Sequence, residues 1–281
     1  MALADDLKDY IRLNSADKIN ITEKHSVAIV GETHAFLTTT DSAVRTRAAV
    51  RLLLELLADA KYRFFANESY FNKGPIRKAV RAYVRAKSLP PEFDPKGAAI
   101  DVEEIARRVL VRRYQELLDF FRAHPRYILS IGSEVGDGPA RDARLAQHFF
   151  EEMDDRGLKP TVPGLMLLGG LHAAAAPDRA WSTTRMVLEK RGYPCVSIHV
   201  VTDFQGHGST DDAVVPVGAD LDHPKPADTI RLTSLIAKTP VAIPTDRPWT
   251  SGRPSPFRKV TFGHSKTPIA SQFEYLVLQK A

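Results

Sequence analysis

The chain has 281 residues, of which 43% are hydrophobic and 26% charged, with a formal net charge of +5. That length can bury a full core, and the balance excludes a disordered or low-complexity protein. A single cysteine, Cys195, excludes an intrachain disulfide framework and a cysteine-based zinc cluster, and no charge-free run is long enough to span a bilayer.

In chain order, residues 1–24 read as a short polar helix and a turn. Asp5, Asp6, Lys8, Asp9 and Arg12 leave no apolar stretch of signal-peptide length there, so the expectation is a soluble, cytoplasmic protein without a membrane partner. An apolar strand, Val27 to Val30, runs straight into Gly31, Glu32 and His34. Glycine at that point is expected to let the backbone turn sharply. Residues 42–60 form an amphipathic pattern, with Arg47, Arg51, Glu55 and Asp59 four apart and Val44, Ala48, Leu52, Leu53, Leu56 and Leu57 supplying an apolar surface. A strand from Tyr62 to Ala66 completes a strand-helix-strand unit and ends in Asn67-Glu68-Ser69. The two strands are then expected side by side, with Glu32 and Glu68 at matching ends.

Phe71 to Ser88 carries Lys73, Arg77, Lys78, Arg81, Arg85 and Lys87 and no acidic residue. Such a run is ordinarily a solvated helix face; overhanging a crevice, it attracts a carboxylate or phosphate. A proline-rich break at 89–97 separates it from a packed helix at 101–122, which leads to a strand from Tyr127 to Ile131. A helix from Arg141 to Arg156 follows, then a strand from Leu165 to Leu168 that runs into Gly169-Gly-Leu-His172. Beyond a helix at 179–191, the strand from Cys195 to Val201 holds a thiol read as buried and a core histidine, His199. Residues 203–256 are expected to be long loops with a peripheral hairpin, and Phe273 to Leu278 is the last strand. The fold class that follows is α/β: one domain over 1–281, with a mainly parallel central sheet, flanking helices, a helical insertion at 71–122 and a loop-rich region at 203–256.

Glu32, His34, Glu68 and His172 all follow strand-like segments, and parallel strands would align them along one rim. Two histidines and two carboxylates leave two mechanisms open. A neutral histidine can take a proton from water or a hydroxyl while a carboxylate orients its ring. Alternatively Glu32, His34 and His172 can hold a divalent metal that acidifies bound water, although their spacing matches no zinc-helix signature, so no metal and no other cofactor is the favoured expectation. Arg141 suits an anionic group or the charge growing on an attacked carbonyl. Tyr70, Arg77 and Arg81 are further substrate contacts, and His207, in a glycine-rich loop, is a lesser one. These point to a small anionic substrate as the partner. Nucleic acid is not expected, because the basic residues lack a reader motif or a stacking platform.

The ordered motifs Gly31-Glu-Thr-His34, Glu68, Arg141-Asp-Ala-Arg-Leu-Ala146 and Leu168-Gly-Gly-Leu-His172 together resemble the erythromycin-esterase-like superfamily, which includes relatives of ChaN and of the TIKI/TraB group. The resemblance implies ester, lactone or amide hydrolysis, with His34 as general base, Glu32 and Glu68 orienting it, His172 as a second catalytic group and Arg141 on the substrate. TIKI-like relatives imply a divalent metal near Glu32, His34 and His172, and ChaN-like ones a noncatalytic haem or ligand-binding role. This chain is shorter than the macrolide esterases and has Gly-Leu before His172. Those departures leave cyclisation, elimination or group transfer on the same scaffold as alternative chemistry.

Overall fold

The computed structural model describes residues 2–19, 25–32, 49, 51–56, 62–67, 139–176, 182–202, 214–218, 226–249, 252–262 and 266–280. Their elements in chain order are α1 (Ala2–Asn14), β1 (Val27–Glu32), β2 (Phe64–Asn67), α2 (Pro139–Asp155), β3 (Gly164–Gly169), α3 (Gly170–Ala173), α4 (Thr184–Lys190), β4 (Cys195–Thr202), β5 (Val214–Pro216), β6 (Thr229–Arg231), β7 (Val241–Pro244), α5 (Ile269–Gln272) and β8 (Tyr275–Gln279). Residues 49 and 51–56 are also helical, within the amphipathic 42–60 pattern.

β1 is apolar at both odd and even positions because both faces of its sheet are covered. Val27, Ala28, Ile29 and Val30 are all buried. Continuous apolar runs of this kind are the mark of a parallel sheet layered by helices. The sheet has six strands in the order β2-β3-β1-β4-β8-β7, parallel except for β7, which runs antiparallel to β8. The expected α/β class holds.

Three expectations about this frame change. β1 and β2 do not lie side by side: β3 sits between them, pairing Val27 and Phe64 alike with Gly164. β3, the strand between them, is buried at all six positions. Val241–Pro244, expected among peripheral loops, is a strand of the main sheet. It is short and flanked by proline, so alternation could not reveal it, whereas β5 and β6 do form the expected separate hairpin-like pair. The amino-terminal helix is polar only in part. Leu7, Tyr10 and Ile11, spaced for one helical face, are buried, and the Tyr10 hydroxyl donates to the Pro244 and Arg247 carbonyls at 2.8 and 2.7 Å.

α2 turns Leu145, Ala146, Phe149 and Met153 inward. The Phe149 ring meets Phe64 of β2 at 5.6 Å and Tyr193 at 5.0 Å between centroids. This fixes α2 beside the β2-β3 side of the sheet, with α4 packed against it. No helix among the described residues is long and apolar enough to cross a membrane. The expected strand Tyr127 to Ile131 and the helical insertion at 71–122 lie outside the described residues.

Candidate functional site

Register brings the carboxyl ends of the central strands together. Glu32 is level with Gly169, Gly31 with both Leu168 and His199, and Asn67 with Leu167. Because β2 and β3 flank one another and the order reverses around β1, the crevice of an open α/β sheet is expected at these ends. Gly31 lies inside the ladder of β1 and is not among the positive-φ glycines, so it does not serve the sharp turn that the sequence suggested. Its reason is space. A Cβ there would stand 3.1 Å from Gly170 Cα, 3.2 Å from His199 Nδ1 and 3.4 Å from Ala173 Cβ.

α3 begins as soon as β3 ends and carries His172 onto this rim. His172 Nδ1 lies 2.9 Å from Oδ1 of Asp142, in the first turn of α2. The Asp142 side chain is 1% exposed and that of His172 is 14% exposed, so the carboxylate is sealed in while the imidazole reaches the edge of solvent. The same Oδ1 accepts from the backbone N–H of Thr184 at 2.5 Å and from its hydroxyl at 2.6 Å. A carboxylate oxygen accepts and does not donate, so in this contact Nδ1 is the donor.

The backbone after His172 is tied down residue by residue. Ala173 O accepts from the Ser197 hydroxyl, and Ala174 O from the Thr183 hydroxyl at 2.7 Å. The Ala175 N–H donates to Gln272 O at 2.9 Å. Thr183 also caps α4, accepting the Met186 N–H at 3.2 Å. Arg185, the next residue but one, donates to Ser197 Oγ at 2.9 Å and forms a bidentate pair with Glu274 at 2.7 and 2.6 Å. Burial works against the charged Arg185 guanidinium, but the hydrogen bonds and charge of Glu274 and Glu189 outweigh it and raise its pKa.

Of the residues predicted for the site, His172 and Arg141 are described. Arg141 is half-buried in the first turn of α2, beside Asp142. The Asp142 carboxylate faces His172 and Thr184. Glu32 is placed by its backbone alone, at the end of β1. His34, Glu68, Tyr70, Arg77, Arg81 and His207 lie outside the described residues, as does the side chain of Glu32. His199 is a core ring as expected, stacked on Phe273 at 4.8 Å and tilted against Phe262 at 4.9 Å. Cys195 is buried, its thiol pushed far up by desolvation, which makes it no nucleophile.

Among the described residues no group of three or more histidine, cysteine or carboxylate side chains is arranged to hold a metal. A buried carboxylate holding one ring nitrogen, as Asp142 holds His172, is nonetheless the outer support that metal-bound imidazoles usually have.

Asp142, inside the Arg141-to-Ala146 motif, is the partner of His172 to which the sequence reading gave no role. Its signal was present: it stands three and four residues before Leu145 and Ala146, on the apolar face of α2. A carboxylate on a buried helix face has to find donors.

No protein-family model matches the chain, and no curated protein does. Among solved structures, it is similar to a crystal structure of a protein from Bacillus cereus, with a TM-score of 0.55 and 9% identity over 98% of this chain and 97% of that one. At that identity the likeness shows the fold alone. A structure of bacterial protein toxins aligns with a TM-score of 0.41 and 10% identity, over 69% of this chain and 39% of that one. One of the type III effector HopBA1 aligns with a TM-score of 0.33 and 12% identity, over 67% of this chain and 82% of that one.

Proposed function

We propose that the protein is a hydrolase, or a closely related general acid-base enzyme, acting on a small anionic ester, lactone or amide. The observation that carries this reading is the Asp142–His172 couple: a sealed carboxylate holding one imidazole nitrogen at the carboxyl ends of parallel strands, with the ring at the edge of solvent. A purely structural histidine has no need of an accessible ring backed by a buried acceptor.

In this reading His34, from the segment after β1, takes a proton from water as its oxygen adds to the substrate carbonyl. Glu32 and Glu68 orient that base. The C–O or C–N bond then breaks as the leaving group takes that same proton from His34, while Asp142 holds the His172 ring with Nε2 as an acceptor that orients the attacking water. Arg141 and the basic residues Arg77 and Arg81 favour a negatively charged substrate, with Tyr70 and His207 as flanking contacts. A divalent cation on Glu32, His34 and Nε2 of His172 would supply an acidified water to the same chemistry. A lone buried thiol suits a reducing compartment, and we place the activity in the cytoplasm.

The test is turnover of a panel of anionic aryl esters, lactones and amides by the wild type and by His34→Ala, His172→Ala and Asp142→Asn. Loss of about 10²–10⁴ in kcat is expected for each histidine and at least about tenfold for Asp142→Asn. Full turnover by folded His34→Ala or His172→Ala would sink the reading.

A further inference from the structure

We infer that Thr184 is a positioning residue for His172, acting through Asp142, and that it fixes the imidazole with its proton on Nδ1. This rests on the acid-base reading of His172. Thr184 is fully buried and turns both its donors on one oxygen, its N–H at 2.5 Å and its hydroxyl at 2.6 Å from Asp142 Oδ1, the hydroxyl also lying 3.5 Å from the Asp142 backbone carbonyl. The same oxygen faces His172 Nδ1 at 2.9 Å.

A carboxylate held by one contact can swing about its χ angles; one held by two donors from a neighbouring helix has a single orientation. The ring that donates to it inherits that orientation. The neighbours of Thr184 act on the same short stretch. Thr183 holds the Ala174 carbonyl, and Arg185 reaches Ser197, which holds the Ala173 carbonyl. Three consecutive buried residues at the start of α4 therefore fix the carboxylate, the ring and the backbone that follows it.

The chemical consequence is a choice of tautomer. Without the Thr184 hydroxyl, Asp142 keeps the backbone donor but loses the contact that sets its plane, and the ring is free to populate the form protonated on Nε2. That form has its lone pair turned inward and is useless to a substrate at the rim.

The test is the ¹⁵N spectrum of the full chain grown with ¹⁵N-histidine, recorded with the ring neutral, the His172 signals being assigned by their loss in His172→Gln. The wild type is expected to show the Nδ1–H form. Thr184→Val, isosteric but without the hydroxyl, is expected to shift the ratio of the two tautomers about tenfold toward Nε2–H, and Thr184→Ser to restore it. A merely structural threonine would lower thermal stability and leave the tautomer where it was, and that result overturns the inference. So does a wild type already in the Nε2–H form. Should Thr184→Val not fold, the wild type carries the test alone: a solvent-protected Thr184 hydroxyl proton is expected, and rapid exchange of that proton overturns the inference. The measurement needs no substrate, so it separates the two readings. A tautomer that moves in a protein inert toward the whole panel leaves the positioning intact and removes the hydrolase; an active protein indifferent to Thr184→Val does the reverse.

Discussion

At Gly31 the two tightest neighbours of an added Cβ are the backbone of Gly170 and the buried ring of His199, packed between Phe262 and Phe273. Gly31→Ala is therefore expected to cost about 1–3 kcal/mol in urea unfolding with an unchanged m-value, as overpacking does. Stability equal to the wild type would mean that the space is larger than it looks. The sequence marked this glycine correctly and explained it wrongly. A glycine after an apolar run reads as a turn, and its real partners come from residues 170 and 199, too far along the chain for any local pattern to reveal. Asp142 shows the opposite case, since its place on an apolar helix face was visible in the sequence while its partners, His172 and Thr184, lie 30 and 42 residues away.

At the scale of elements, an ion pair ties α4 to the sheet. Arg185 is 7% exposed in its side chain and grips Glu274, which also accepts the N–H of Ser197 at 2.7 Å. Removing Glu274 leaves a buried guanidinium with Glu189 and a hydroxyl. Glu274→Ala is expected to cost about 2–3 kcal/mol, discounted from a fully buried pair because Glu274 is itself 38% exposed. Chemical denaturation monitored by circular dichroism measures this, and a loss under about 0.5 kcal/mol would assign α4's anchoring to packing instead. The strands at 27–30, 165–168, 195–201 and 275–278 were legible because their apolar runs end at glycine or polar residues. Arg185 and Glu274 were not, because an ion pair between residues so distant leaves no local periodicity. β7 escaped for want of length.

At the scale of the whole molecule, contacts distant in sequence tie the elements together: α1 docks through Tyr10 against Pro244 and Arg247, and residue 16 bridges residue 242. Stability should accordingly respond as one unit to groups buried anywhere in it, and pH offers a probe. Burial raises the pKa of Cys195 and of Tyr10, so both hold their protons in the folded state at pH values where the unfolded chain has begun to lose them. The unfolded state then binds fewer protons, and stability is fully present below about pH 8.5 and falls above it, with tyrosine adding its share from about pH 10. Between those values the wild type should lose up to about 1.4 kcal/mol per pH unit more than Cys195→Ala, as read from urea midpoints across an alkaline series; parallel slopes would refute it. The order of the sheet was not readable from sequence, since strand patterns say nothing of who stands next to whom. That order has a consequence for biosynthesis. β1 is made early, yet its two neighbours start at Gly164 and Cys195, so at about 5–20 residues per second it waits on the order of ten seconds for the first of them. During that interval Val-Ala-Ile-Val is an unpaired apolar segment on a growing chain, and the strand that centres the finished site is the one a chaperone has most reason to hold.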